Sequence, residues 1–103
     1  MPKSVVIGHL AQIPPGEGRN FVVEEEKVAV FRTHADEVYA TQASCPHRGG
    51  PLADGLLGGA VIVCPLHDRS FDLRTGEGVG PDCAHIKIFP VAVDEQSQIL
   101  ITL

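Results

Sequence analysis

Short runs rich in valine, isoleucine and phenylalanine recur along this chain of 103 residues, and glycine, proline or polar stretches separate them. β-Branched and aromatic residues favour strands, and no segment repeats its apolar residues at the 3.6-residue period of a helix. The sequence predicts strands within residues 20–25, 27–33, 37–42, 59–64, 85–89, 91–94 and 98–103. Short strands with frequent turn signals are typical of a small β-sandwich or barrel-like domain.

Charge and composition narrow the class of protein. The net charge is −5, which gives no electrostatic support for nucleic-acid binding. No run approaches the roughly 20 apolar residues of a membrane span, and the first residues lack the long apolar stretch of a secretory signal. Three cysteines do not make a disulfide scaffold. We therefore expect a cytoplasmic protein with a single domain over residues 1–103.

Two stretches rich in glycine and proline interrupt the strand pattern. They span residues 45–59 and 64–82. Each begins with Cys-Pro and places a histidine just after it, giving Cys45 with His47 and Cys64 with His67. The apolar run 60–63 lies between the stretches and would hold them in a hairpin-like relation. Two cysteines and two histidines could therefore meet at one end of a β scaffold.

The chemistry of these four residues suits either zinc or iron. Two thiolates and two imidazoles can hold zinc tetrahedrally, as in a zinc-stabilised binding module, but zinc sites usually space paired cysteines by two to four residues. Here each pair mixes one cysteine with one histidine, so each stretch could give one ligand to each iron of a two-iron cluster. A disulfide between Cys45 and Cys64 is possible in principle, although nothing indicates an oxidising compartment. The remaining cysteine and histidines are interpreted as ordinary structural residues: Cys83, His9, His34 and His85.

The segments "CPHRGGPL" and "CPLHDRSFDLRTGEG" resemble the two cluster-binding loops of the Rieske [2Fe–2S] family, with sixteen residues between His47 and Cys64. The resemblance implies an all-β fold of small antiparallel sheets with the two loops at one tip, and a cluster-binding subdomain at about residues 44–83. It implies that Cys45 and Cys64 hold the buried iron of one [2Fe–2S] cluster, and that His47 and His67 hold the outer iron. Three further residues would support the cluster loops: Gly49, Gly50 and Pro81.

The resemblance also bears on the reduction potential. High-potential members of the family carry an extra cysteine in each loop, where this chain has Gly50 and Leu66. They also place serine and tyrosine hydroxyls near the cluster, where this chain has Arg69 and Phe71. Fewer hydroxyl donors leave the reduced cluster less stabilised. We therefore expect a potential in the lower half of the Rieske range of about −150 to +300 mV.

The function implied by the resemblance is transfer of one electron. A chain of 103 residues has no room for the second domain of a Rieske oxygenase. We expect a ferredoxin-type carrier between an NAD(P)H-dependent reductase and a terminal oxygenase or reductase, and so a component of an enzyme system rather than an enzyme by itself. The alternative is the small subunit of an assimilatory NADH-dependent nitrite reductase, which "CPHRGGPL" and "LRTGEGVGPD" also resemble. Arg48, Leu52 and Leu66 are candidates for the docking face, together with Pro81.

Overall fold

The computed structural model describes residues 4–44, 51–64, 69–79 and 85–102 of the chain. These residues form strands and two short 3₁₀ turns, and no α-helix lies among them. The strands are β1 (Ser4–His9), β2 (Glu17–Val23), β3 (Glu26–Arg32), β4 (Val38–Gln42), β5 (Leu56–Gly58), β6 (Val61–Val63), β7 (Ser70–Asp72), β8 (Gly78–Val79), β9 (Ile88–Phe89), β10 (Val91–Val93) and β11 (Gln98–Thr102). Within these ranges, no helix has the length and apolarity needed to cross a membrane.

The strands are arranged in three antiparallel sheets. The terminal sheet has the order β1-β11-β10, the central sheet β2-β3-β4-β9, and the loop sheet β5-β6-β7-β8. The prediction of an all-β fold of small antiparallel sheets is confirmed. The order within each sheet follows mainly from hairpins, because β2 to β4 and β5 to β8 each pair with their neighbours in sequence.

Strand β3 explains how these sheets pack, because four consecutive residues of it are buried. Successive side chains of a strand point to opposite faces. Ala29 and Phe31 therefore face one apolar cluster, and Val28 and Val30 face another. We call the first the loop-sheet core (Ala29, Phe31, Leu52, Ala53, Ile62, Cys64, Phe71, Leu73 and Ile86) and the second the base core (Ile13, Val23, Val28, Val30, Ala40, Phe89, Ile99 and Ile101). The central sheet thus lies between the two cores.

A glycine opposite β3 brings the loop-sheet core together. Gly18 pairs with Phe31, and a Cβ added at Gly18 would lie 2.7 Å from the Phe31 ring and 3.2 Å from the Ala53 Cα atom. Only a residue without a side chain therefore allows the Phe31 ring and the 3₁₀ turn Leu52–Asp54 to pack this closely on β2.

Four strands were not predicted from the sequence. β1 lies in the N-terminal stretch, whereas β5, β7 and β8 lie in the stretches predicted as loops. The last three contain only two or three residues each, which is too short for an alternating pattern to be recognised. Conversely, the predicted strand 85–89 is regular only over Ile88–Phe89, and His85 makes an isolated bridge to Glu77.

Candidate metal centre

Cys64 directly follows β6 and is completely buried in the loop-sheet core. Its backbone N–H donates to the carbonyl of Arg69 at 2.7 Å, and Val63 pairs with Ser70 one residue further along the hairpin. These contacts close the base of the segment 65–68, which contains His67. Cys64 is a free cysteine, so its sulfur is available as a ligand. The donor chemistry, a buried thiol at the closed base of a short loop, fits the thiolate ligand of an iron–sulfur cluster.

Backbone contacts also join the two ends of the segment 45–50, which contains the first cysteine motif. Ser44, which precedes Cys45, forms an antiparallel bridge with Pro51. The Leu52 N–H donates to the Ala43 carbonyl at 3.0 Å, so the chain returns to β4 directly after the segment 45–50.

The segment 80–84 is closed in a similar way. Val79 pairs with Ser70, Glu77 bridges His85, and the Ile86 N–H donates to the Gly76 carbonyl at 2.8 Å.

The register of the loop sheet shows that the bases of segments 65–68 and 80–84 lie side by side. Leu56, Val63, Ser70 and Val79 form one cross-strand row over all four strands. This row is the end of the sheet that borders Cys64 and Arg69, and it includes the start of β5, to which the chain runs from Pro51. The described residues therefore place the bases of segments 65–68 and 80–84 at the same end of the loop sheet.

Most of the predicted site residues lie outside the described residues. These are Cys45, His47, His67, Gly49, Gly50, Pro81, Arg48 and Leu66. Of the four predicted metal ligands, only Cys64 is described. The described residues accordingly contain no group of three or more His, Cys, Asp or Glu side chains that could hold a metal ion.

The prediction that Leu52 lines a docking face is wrong. Its relative exposure is 0%, and it packs in the loop-sheet core. The 3₁₀ turn Leu52–Asp54 directs Leu52 and Ala53 inwards, against the face of β3 that carries Phe31. Leu52 therefore fixes the segment after the first cysteine motif to the central sheet and cannot contact a partner.

Two described histidines have ordinary structural contacts. His9 caps the 3₁₀ turn Leu10–Gln12, where its Nδ1 atom accepts from the Ala11 N–H at 3.0 Å. The ring of His34 lies where a side chain on Gly16 would otherwise project. Both agree with the interpretation that these residues are not part of the metal motif.

The turn between β7 and β8 is organised by an ion pair. Asp72 accepts from the Arg74 backbone N–H at 2.8 Å, and its two oxygens accept from Arg74 Nε at 3.2 Å and Nη2 at 3.1 Å. These hydrogen bonds from the Arg74 side chain and backbone lower the pKa of the Asp72 carboxyl below its usual value of 3.8. The ion pair therefore holds the turn that leads into the segment 80–84.

Sequence reasoning missed one residue beside the first cysteine motif. The side chain of Gln42, at the end of β4, donates from Nε2 to the Ser44 carbonyl at 2.7 Å. Its Oε1 atom accepts from the Lys87 N–H at 2.6 Å. A single glutamine at a strand end has no distinctive pattern, and its partner Lys87 is 45 residues away in sequence, so only the structure reveals this contact.

Comparison with known proteins confirms the resemblance to the Rieske family. Residues 3–90 match the family model described as the Rieske [2Fe–2S] domain. The ferredoxin component of the naphthalene 1,2-dioxygenase system of Pseudomonas aeruginosa is 36% identical over 88 residues, which is 84% of each chain.

Solved structures share the fold over almost the whole chain. The ferredoxin of carbazole 1,9a-dioxygenase from Nocardioides aromaticivorans IC177 is 33% identical, has a TM-score of 0.85, and each chain covers 96% of the other. A protein described as a nitrite reductase (NADPH) small subunit is 25% identical with a TM-score of 0.86, covering 96% of this chain and 97% of its own. The chain therefore belongs to the Rieske [2Fe–2S] domain family and holds one Rieske-type [2Fe–2S] cluster.

Proposed function

We propose that this protein is a one-electron carrier that accepts electrons from an NAD(P)H-dependent reductase and delivers them to a terminal oxygenase. The observation that carries the proposal is the 36% identity, over 84% of both chains, to the ferredoxin component of a dioxygenase system. The buried free thiol of Cys64, at the closed base of the second motif, supports the same role.

Cys45, Cys64, His47 and His67 are the proposed ligands. The cluster supplies the chemistry by taking up and releasing one electron, and mixed thiolate and imidazole ligation raises its potential above that of an all-cysteine cluster. Burial of Cys64 in the loop-sheet core excludes water from its sulfur. A free thiol of this kind suits the reducing environment of the cytoplasm, where we place the carrier.

The ligand assignment is tested by two substitutions of cysteine. Cys64→Ser should abolish the visible absorption and the EPR signal of the reduced protein, because an alcohol is a poor iron ligand. Cys83→Ser is the matched control and should keep both signals, since Cys83 belongs to neither motif. Iron and acid-labile sulfide should be equal in the purified wild-type protein. A colourless wild-type protein that contains one zinc would contradict the proposal.

The role as a carrier is tested by reconstitution. A flavoprotein reductase with NADH should reduce the wild-type protein, and the reduced protein should support turnover by a ring-hydroxylating oxygenase. Cys64→Ser should support none. The docking contact would lie at the loop end of the molecule, with Arg48 and Leu66 beside the proposed histidine ligands.

A second candidate is the small subunit of a nitrite reductase. The observation that favours it is the likeness to a described small subunit of that enzyme, with a TM-score of 0.86 over almost the full length of both chains. Stable co-purification with a large sirohaem enzyme, and no turnover with an oxygenase, would favour this candidate over the first.

A further inference from the structure

Gln42 links two parts of the chain that flank different segments of the metal centre. Its Nε2 atom donates to the carbonyl of Ser44, and its Oε1 atom accepts from the N–H of Lys87. The orientation of the amide is determined by its partners, because a backbone carbonyl can only accept and a backbone N–H can only donate. The backbone N–H of Gln42 also donates to the Lys87 carbonyl at 2.8 Å.

The Lys87 side of this link is well anchored. Thr41 pairs with Ile88 in the ladder between β4 and β9, next to the Gln42 contact. The Lys87 ammonium lies 4.8 Å from the centroid of the Phe89 ring and 3.5 Å from Glu26 Oε1. Lys87 is therefore held by the central sheet, and it follows the segment 80–84 by only a few residues.

The Ser44 side of the link adjoins a proposed ligand. The Ser44 carbonyl belongs to the peptide bond that joins Ser44 to Cys45. A peptide bond is planar, so a hydrogen bond to its carbonyl restricts rotation of the whole unit, including the N–H of the next residue. Gln42 thus restricts the orientation of the peptide unit that joins Ser44 to Cys45.

We infer that Gln42 is a positioning residue for the [2Fe–2S] cluster. Its side chain connects Ser44, at the start of the segment 45–50, to Lys87, which follows the segment 80–84. The inference rests on the proposed role of Cys45 as a ligand. Each of the three segments is closed at its own base by backbone contacts, whereas the Gln42 side chain connects the base of the first to the chain that leaves the third.

Two substitutions separate the two hydrogen bonds. Gln42→Met has a similar shape and no charge but loses both bonds. Gln42→Glu can still accept from the Lys87 N–H, but it loses the donor to Ser44 and places a carboxylate against that carbonyl. Gln96→Met and Gln96→Glu are matched controls, because Gln96 is exposed in the turn between β10 and β11.

The readouts are the rate of cluster loss to a chelator, followed by visible absorbance, together with the EPR g-values and the reduction potential. Loss of the hydrogen bond to Ser44 should accelerate cluster loss about fivefold in Gln42→Met. It should also shift the potential and the g-values, because the ligand geometry changes. Gln42→Glu should have a larger effect on all three readouts, and both Gln96 variants should match the wild type.

Three outcomes have distinct meanings. Unchanged g-values, potential and cluster-loss rate in both Gln42 variants would overturn the inference. A lower unfolding midpoint with an unchanged potential and unchanged g-values would also overturn it, because the residue would then serve only the fold. Absence of a Rieske EPR signal from the wild-type protein would overturn the proposed function instead. If Gln42→Met does not fold, Gln42→Glu carries the test, because it keeps the bond to Lys87.

Discussion

At the scale of single residues, the surroundings of Cys64 bear on the redox properties of the protein. Phe71 is 1% exposed and shares the loop-sheet core with Cys64. By the resemblance of the second motif to the Rieske cluster loops, it is the expected counterpart of the tyrosine whose hydroxyl lies near the cluster in high-potential members. An aromatic ring without that hydroxyl offers no hydrogen bond to stabilise the reduced cluster.

We therefore expect the reduction potential to lie in the lower half of the range of about −150 to +300 mV. Protein-film voltammetry of the purified protein measures it directly. A value near the upper end of that range would show that another donor replaces the missing hydroxyl.

Gly76 is a position at which any side chain would be strained and crowded. Its φ angle is +82°, and a Cβ would collide with the carbonyl oxygen of Ile86. Gly59 also has a positive φ, +57°, but a Cβ there would have no atom within 4 Å. Substitution of either glycine therefore carries the cost of a positive φ angle, but only substitution of Gly76 adds a steric clash with the Ile86 carbonyl.

Gly59→Ala should lower the free energy of unfolding by about 1 kcal/mol, the cost of the left-handed conformation. Gly76→Ala should lower it by at least about 1 kcal/mol more, because the Ile86 carbonyl must also move. Urea denaturation of the two variants measures the difference. Equal losses would mean that the chain around Ile86 shifts freely.

The Asp72–Arg74 pair should produce a pH dependence of stability. The folded-state pKa of Asp72 is lowered by Arg74, so the carboxylate contributes stability above its unfolded pKa near 3.8. This contribution is lost as the pH falls below that value through the lower folded-state pKa. Asp72→Asn should therefore be less stable than the wild type at pH 7, and the difference should shrink below about pH 4. A difference that is constant from pH 7 to pH 2 would assign the effect to packing.

At the scale of secondary-structure elements, the hairpin of β2 and β3 has an unfavourable turn. Val23 pairs with Glu26, so the loop contains only Glu24 and Glu25, whose φ angles are 48° and 72°. Two-residue turns with two positive φ angles favour Asn-Gly, since most side chains are strained there. The long, buried strand β3 nevertheless keeps the hairpin in register.

Replacing Glu25 with glycine should raise the free energy of unfolding by about 0.5 to 1 kcal/mol, because the strain is relieved. Glu25→Gln is the control, since it removes the charge but keeps the Cβ. Thermal unfolding should show a gain for the glycine variant alone. An equal gain in both variants would identify charge repulsion within the acidic turn as the cause.

At the scale of the whole molecule, the two cores differ in their relation to the metal centre. The loop-sheet core contains Cys64, whereas the base core consists of residues from the central and terminal sheets and their flanks. Because metal binding is coupled to folding only where the ligands lie, removal of the cluster should affect the two cores unequally.

We expect that chelation of iron will increase hydrogen exchange in β5 to β8, including Ile62 and Phe71, and leave Ile99 and Ile101 in β11 protected. Hydrogen-exchange mass spectrometry of the holo and apo proteins measures this. Reconstituted protein should recover the holo pattern. A uniform loss of protection over all three sheets would show that the cores unfold as one unit.

The all-β class and the family can be predicted from the sequence alone, because strand patterns are local and the Cys-Pro-His and Cys-Pro-x-His motifs are short and specific. It also indicated Cys64 as a ligand candidate, and the structure places that thiol in a buried, closed loop base. The very short strands β5, β7 and β8 were missed, since their stability comes from pairing and burial rather than from local propensity.

Which side chains are buried and which distant segments meet can be learned only from the folded structure. Leu52 is predicted from the sequence to line a docking face, whereas the 3₁₀ turn Leu52–Asp54 buries it in the same core as Phe31. Gln42 gave no signal in the sequence, because its significance lies in a contact with Lys87 that forms only when β4 and β9 come together. Motif chemistry can be read along the chain, whereas burial and long-range hydrogen bonds depend on the packing of residues far apart in sequence.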